Sequence, residues 1–355
     1  MYFKENQKIG ALLDFAIKKN ATDLHLIVDS APILRVDDKL VEIKDIAPFD
    51  TASMRAALDG FFSEDGAAEL KELKEVDFSF GHGECRFRAN LYYQKGELAA
   101  SFRLIPNKVR TFEELGLPAI IERFVQSSQG FVIVTGPAGH GKSTTLAAMV
   151  DSINKNRREH IITIEDPIEY VFEHNKSIIS QREIGIDTNS FGKALRSALR
   201  EDPDVILVGE MRDLETVEAA LNLAETGHLV LTTLHTNSSA QTADRIISMF
   251  PSHQQDQVRS QLANVLLGVV SQRLLPKVSG GRVLATEIMV VDSAIRNLIR
   301  EGKIHQIPNV IQTSSSSGMI SLDKVLAELV SKGEVSVDDA MSWAIDPKSF
   351  KMMVY

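Results

Sequence analysis

Gly130-Phe-Val-Ile-Val-Thr135 runs directly into Gly136, Pro137, Ala138, Gly139, His140, Gly141, Lys142 and Ser143, and the reading of the whole chain turns on that stretch. A short β-branched, apolar run ends in a glycine-rich turn. Thr144 to Ile153 then carries the apolar spacing of a helix. Strand, turn and helix in that order are the context in which G-x-x-x-x-G-K-[ST] binds phosphate. Glycines let backbone N–H groups face phosphate oxygens at a helix start, where the dipole favours negative charge. Lys142 is placed to reach the β- and γ-phosphates of ATP, and the Ser143 hydroxyl to ligate Mg²⁺.

Composition sets the bounds. A chain of 355 residues has room for two or three domains. Its hydrophobic share of 44% and charged share of 25% are those of a globular protein in water. No apolar run reaches the roughly 20 residues that span a bilayer, so direct membrane insertion is not expected. The start, Met1-Tyr-Phe-Lys-Glu-Asn6, has no apolar signal core. Cys85 is the one cysteine, which excludes an internal disulfide and a cysteine-built zinc site and suits a reducing cytoplasm. The net charge of −9 argues against a partner made of nucleic acid.

Along the chain, residues 1–105 read as a first domain. Ile9, Leu12, Leu13, Ala16 and Ile17 share one helix face. Strands are expected at Asp23 to Ile27, Pro32 to Val36, Val76 to Phe80, Cys85 to Tyr93 and Glu97 to Ile105, with Asp37-Asp38 as a turn. Thr51 to Leu73 reads as helical, with breaks at Gly60 and Gly66. An α+β domain on an antiparallel sheet fits that order. Within it Arg86, Arg88 and Asn90 share a strand face and Arg103 lies on the next strand, which by pattern alone suits a solvated surface.

Residues 106–118 form the expected linker and 119–291 the core. There, apolar runs alternate with helical segments, as in a parallel sheet. The runs are Gly130 to Thr135, His160 to Ile164, Asp204 to Val208, His228 to Thr233 and Val283 to Val291. Polar residues stand at the carboxyl ends of the first four: the phosphate loop, Glu165-Asp166, Gly209-Glu210 and His235-Thr236-Asn237. Open parallel sheets bind ligands at that edge. Residues 292–355 read as helical, beginning with an Asp292 or Ser293 cap and a helix that sets Ile295, Leu298 and Ile299 against Arg296, Asn297, Arg300 and Glu301.

Each candidate has a structural alternative. Glu210, just past a buried strand, can orient an attacking water or simply complement a helix start. Glu165 and Asp166 are adjacent carboxylates, which a Mg²⁺ and its waters would screen, or they cap a turn. His228 and His235 bracket one strand seven residues apart, so they do not share a metal. His235 is equally a γ-phosphate sensor or a hydrogen-bonded core histidine.

These motifs together resemble the secretion-type ATPase superfamily and, within it, the PilT-type retraction ATPases of type IV pili. The likeness rests on Ala21-Thr-Asp-Leu-His25, the loop 136–143, Ile164-Glu-Asp-Pro-Ile-Glu169, Gln181-Arg-Glu183, Asp202-Pro-Asp-Val-Ile-Leu-Val-Gly-Glu210, Thr226-Gly-His228 and Leu234-His-Thr236. Ala294-Ile-Arg-Asn-Leu-Ile-Arg-Glu301 is similar to the retraction signature. Ala138 and His140 depart from the loop of many relatives, which have Thr and Ser there. The resemblance implies a PAS-like α+β N-terminal domain, a RecA-like P-loop core and C-terminal helices. It implies a cytoplasmic, Mg²⁺-dependent ATPase, peripheral to the inner membrane at the pilus base. A homohexamer would act on an inner-membrane platform protein, with or without a second pilus ATPase. Catalysis would fall to Glu210, with Glu165 and Asp166 at metal and water, His235 sensing the γ-phosphate, and Arg88 and Arg103 reaching the nucleotide. Residues 136–144 and His228 would hold ATP, and Ser143 and Glu165 the Mg²⁺, partly through water. An accessory retraction ATPase, or another secretion or assembly ATPase of the superfamily, is the alternative.

Overall fold

The structure, a computed structural model, describes residues 7–36, 39–44, 46–58, 64–83, 85–105 and 108–354. Contacts divide the chain into two units, Met1–Lys108 with Pro167–Val171, and Val109–Asp166 with Phe172–Tyr355.

In the first unit α1 (Gln7–Lys18) leads to β1 (Asp23–Leu26), β2 (Ile33–Val36) and β3 (Lys39–Glu42). Helices α2 (Thr51–Leu58) and α3 (Glu64–Leu73) follow, then β4 (Glu75–His82), β5 (Cys85–Gln94) and β6 (Glu97–Ile105). The six strands pair antiparallel in the order β3-β2-β1-β6-β5-β4. α1 buries Ile9, Leu12, Leu13 and Ala16, the stripe visible in its sequence. β5 turns Phe87, Ala89 and Leu91 into the same core and leaves Arg86, Arg88 and Asn90 half-exposed on the other face. β3 is a strand the sequence pattern does not show, because all of its residues are exposed and none alternates apolar with polar burial. Gly66 lies inside α3, not at a break. Gly60, the Asp37-Asp38 turn and Pro106-Asn107 of the linker lie outside the described residues.

The second unit opens with α4 (Ile120–Val125), β7 (Gly130–Thr135), α5 (Lys142–Asn156), β8 (His160–Glu165) and β9 (Ile178–Glu183). It continues through α6 (Phe191–Ala198), β10 (Val205–Val208), α7 (Leu214–Glu225), β11 (Leu229–Leu234), α8 (Ser239–Ser248) and α9 (Gln255–Val265). After β12 (Leu266–Pro276) and β13 (Arg282–Val290) come α10 (Ser293–Arg300), α11 (Ile307–Thr313), α12 (Leu322–Ser331), α13 (Val337–Trp343) and α14 (Pro347–Val354).

The seven-stranded sheet has the order β13-β12-β7-β11-β10-β8-β9. Every pair is parallel except β12–β13. The sheet is therefore mixed, not purely parallel as the apolar runs suggest. β12 and β13 are joined by a short turn, closed by Lys277 N–H donating to the Gly281 carbonyl at 2.9 Å, and a connection that short can only return the chain antiparallel. β7, β10 and β11 are buried throughout, which is why they read as continuous apolar runs. Helices α10 and α11 bury Ile295, Ile299, Ile307 and Ile311 in the main core, whereas α12 to α14 pack elsewhere. Leu322, Leu326, Leu329, Ala340 and Phe350 form a separate apolar cluster with Leu275 of β12 and Ala285 of β13.

Candidate active site

β7 ends at Thr135, and the chain turns through the glycine-rich loop into α5. Gly136 has φ +145°, and a Cβ there would lie 2.5 Å from the Gln272 carbonyl oxygen. Gly141 is the left-handed N-cap of α5, which has no side-chain cap hydrogen bond. By contrast α6, α7, α8 and α10 are capped by the side chains of Ser190, Asp213, Ser238 and Asp292. A helix start without a side-chain cap, joined to a glycine turn, suits phosphate oxygens.

Lys142 is buried, and its Nζ donates to the carbonyls of Gly136 and Pro137, both at 2.9 Å. It also lies 3.4 Å from His235 Nδ1. An ammonium has no acceptor, so Nδ1 must accept and the ring proton sits on Nε2. His235 Nε2 is 3.5 Å from Glu210 Oε2, and the other Glu210 oxygen pairs with Arg212 Nη2 at 2.5 Å. Lys142, His235, Glu210 and Arg212 therefore form one line across the carboxyl ends of β7, β11 and β10. The Glu210 hydrogen bond and charge, with Asp166 adding to the field, raise the Arg212 pKa above its ordinary value.

Strand register places these groups. β10 and β8 pair Val208 with Ile164, which sets Gly209 beside Glu165. Glu165 accepts from Thr163 Oγ1 at 2.7 Å and from Gln181 Nε2 at 3.4 Å, and Asp166 is exposed. Thr233 Oγ1 donates to the Gly209 carbonyl at 2.7 Å, holding the turn that carries Glu210. Buried Thr135 accepts from Thr236 N–H at 3.0 Å, which fixes the turn that carries His235 against the end of β7. Among the described residues, no three His, Cys, Asp or Glu side chains gather as a metal site. A Mg²⁺ would draw on Ser143, which is exposed at the loop, on Glu165 and on phosphate oxygens.

His228 is not part of this assembly. It precedes β11, whose register puts Leu229 beside Gly130, so it stands at the opposite edge of the sheet. There its Nδ1 lies 2.9 Å from the Leu223 carbonyl near the end of α7. Arg88 and Arg103 belong to the first unit, directly opposite each other on β5 and β6. Arg103 Nε donates to Asp23 Oδ1 at 2.8 Å, and Arg88 Nη2 is 3.8 Å from Asp77 Oδ2.

β12 supplies residues that the motifs overlook. Gln272, which is buried, donates to the His140 carbonyl at 2.7 Å and accepts from Thr145 Oγ1 at 3.0 Å. Arg273, also buried, donates to the carbonyls of Gln272 at 2.8 Å and Asn237 at 2.7 Å. Both stand in the run Leu266-Leu-Gly-Val-Val-Ser-Gln-Arg-Leu-Leu-Pro276, and an amide and a guanidinium inside an apolar run are themselves the signal.

A parallel-stranded core with a phosphate loop, and a carboxylate and a histidine at the same edge, defines a P-loop nucleotide hydrolase. Over residues 7–341 the chain matches the family described as Type II/IV secretion system protein. It belongs to that family and is an ATP-hydrolysing enzyme. It is 48% identical over 343 residues to the type IV pilus retraction ATPase PilT of Pseudomonas aeruginosa, covering 96% of this chain and 99% of that one. It is 51% identical over 277 residues to a twitching motility protein of Neisseria gonorrhoeae, covering 78% and 74%. The crystal structure of the pilus retraction motor PilT with bound ADP superposes with a TM-score of 0.90 at 48% identity, covering 98% of this chain and all (100%) of that one.

Proposed function

We propose that this chain is a motor that spends ATP to retract type IV pili. The observation that carries the reading is the line Lys142–His235–Glu210 at the carboxyl edge of the sheet, in a chain so similar to a retraction ATPase. The loop 136–144 would hold the nucleotide phosphates, with Lys142 leaving its loop carbonyls to meet the β- and γ-oxygens. Glu210, held by Arg212, would orient the attacking water and take its proton. His235 Nε2–H, facing Glu210, would register the γ-phosphate. Ser143, and through water Glu165 and Asp166, would hold a Mg²⁺, which would neutralise phosphate charge.

The working unit would be a homohexamer in which Arg88 and Arg103 approach the nucleotide as the domains close. Its output would turn or pull a platform protein of the inner membrane, to which the ring binds peripherally, alone or with a second pilus ATPase. Steady-state ATPase beside oligomer mass tests this reading. Glu210→Ala should lose about 10²- to 10⁴-fold in kcat with nucleotide still bound. A wild-type protein that binds ATP and never turns it over would end it.

A further inference from the structure

β12 sends neighbouring residues to different parts of the molecule. Gln272 bonds the His140 carbonyl, Leu274 N–H donates to His140 Nδ1 at 3.0 Å, and Leu275 is buried in the C-terminal apolar cluster. The His140 ring meets Trp343 of α13 edge-to-face, with centroids 5.2 Å apart and planes at 69°. The Arg273 guanidinium lies 5.2 Å from the centre of the same indole. Trp343 is the chain's one tryptophan, and it packs partly against the C-terminal cluster. The chain just past it is anchored, because buried Asp323 of α12 accepts from the N–H groups of Ile345 at 2.7 Å and Asp346 at 2.9 Å.

We propose that Trp343 is a positioning residue for the phosphate loop, acting through the His140 ring and Arg273, so that the C-terminal helices set the shape of the loop that takes the nucleotide. Edge-to-face and cation–π contacts are directional, so they fix ring orientation where plain apolar packing would not. His140 accepts from Leu274 only as neutral imidazole. Burial, then the charges of Arg273, Lys142 and Arg282, lowers its pKa and keeps it so. Arg273 extends the contact to the 235–238 turn through the Asn237 carbonyl, so one indole is linked to the phosphate loop through His140 and to that turn through Arg273.

The inference rests on the ATPase reading of the loop, and its test separates the two. In the full-length protein, ADP with Mg²⁺ should change the emission of Trp343 over the concentration range in which calorimetry reports binding. Wild-type protein that binds no ADP would break the ATPase reading itself. Intact binding with unchanged emission would overturn the role of Trp343 alone. Trp343→Ala should raise KM for ATP about 3- to 10-fold with kcat within about twofold, and Trp343→Phe should restore most of it. In a His140→Ala background the further loss from Trp343→Ala should shrink to what the Arg273 contact alone carries. Losses that multiply independently would overturn the coupling. If Trp343→Ala fails to fold, the same cycle run with Trp343→Leu decides between these outcomes.

Discussion

The two edges of the central sheet use the same residue types for different ends. At the carboxyl edge His235 stands between an ammonium and a carboxylate, each carried by a different strand's loop. At the amino edge His228 meets the Leu223 carbonyl, and Arg157 donates at the end of α4 to the carbonyls of Val125 at 2.6 Å and Ser127 at 2.7 Å. Arg296 of α10 likewise donates to the Ala263 carbonyl at 2.8 Å in the last turn of α9, and Arg300 to the Asn264 side chain at 3.0 Å. The carboxyl edge joins an ammonium, an imidazole and a carboxylate in one line, beside the loop carbonyls that Lys142 and Arg273 complete. At the other edge these side chains complete carbonyls that helices and turns leave unpaired, and Arg157 pairs as well with Glu159 at 3.0 Å. The two histidines at opposite ends of β11 therefore meet different partners, charged groups at one end and a helix carbonyl at the other.

The difference between edges can be broken at its strongest point by exchanging the two histidines for alanine. His235→Ala should lower kcat about 10- to 10²-fold, since it removes the group between Lys142 and Glu210. His228→Ala should instead act on stability, by about 1 kcal/mol in denaturant unfolding, and cost less rate than His235→Ala. Equal rate losses would erase the distinction. Next comes Gln272→Leu, which leaves the buried Thr145 hydroxyl and the His140 carbonyl without their partner. It should cost about 1–3 kcal/mol in unfolding and raise KM for ATP. An unchanged KM would show that the loop keeps its shape without β12.

Arg296→Ala with Arg300→Ala tests the amino edge. The pair should lose about 1–2 kcal/mol of stability and keep its ATPase, while retraction in cells is abolished. Loss of ATPase in the folded double variant would join the two edges into one machine part. The smallest effect is in pH. The His140 pKa is lowered in the folded chain, so below about pH 6.5 the unfolded chain takes up the proton first and stability falls with pH. His140→Gln should therefore show a shallower loss of thermal stability between neutral and mildly acid pH than the parent protein.

The glycine spacing of residues 136–143 specifies both the turn and its chemistry, so the loop was legible with no neighbours in view. Glu210 and His235 were legible because buried strands end just before them and parallel register brings such ends together. His228 was not. A motif that lists it with His235 ignores the strand between them, and six residues of strand separate groups by roughly 20 Å. β12 was hidden because it leaves α9 with no turn residue between, and an unbroken apolar run does not tell helix from strand. Its Gln272 and Arg273 acquire meaning from β7 beside them, a contact that connects residues more than a hundred positions apart. Arg103 shows the same limit in the first unit, where its partner Asp23 lies on another strand.

The separate apolar cluster gives the C-terminal helices α12 to α14 a small core of their own, which should behave as a cooperative unit. Helices α12 to α14 bury their side chains against one another and meet the sheet through Leu275 and Ala285 at the hairpin. Such a unit can open while β7, β10 and β11 stay closed, at a free energy below that of global unfolding. In hydrogen exchange its amides would form their own isotherm. The tail of this chain thus carries a small core distinct from the one that closes the sheet it adjoins.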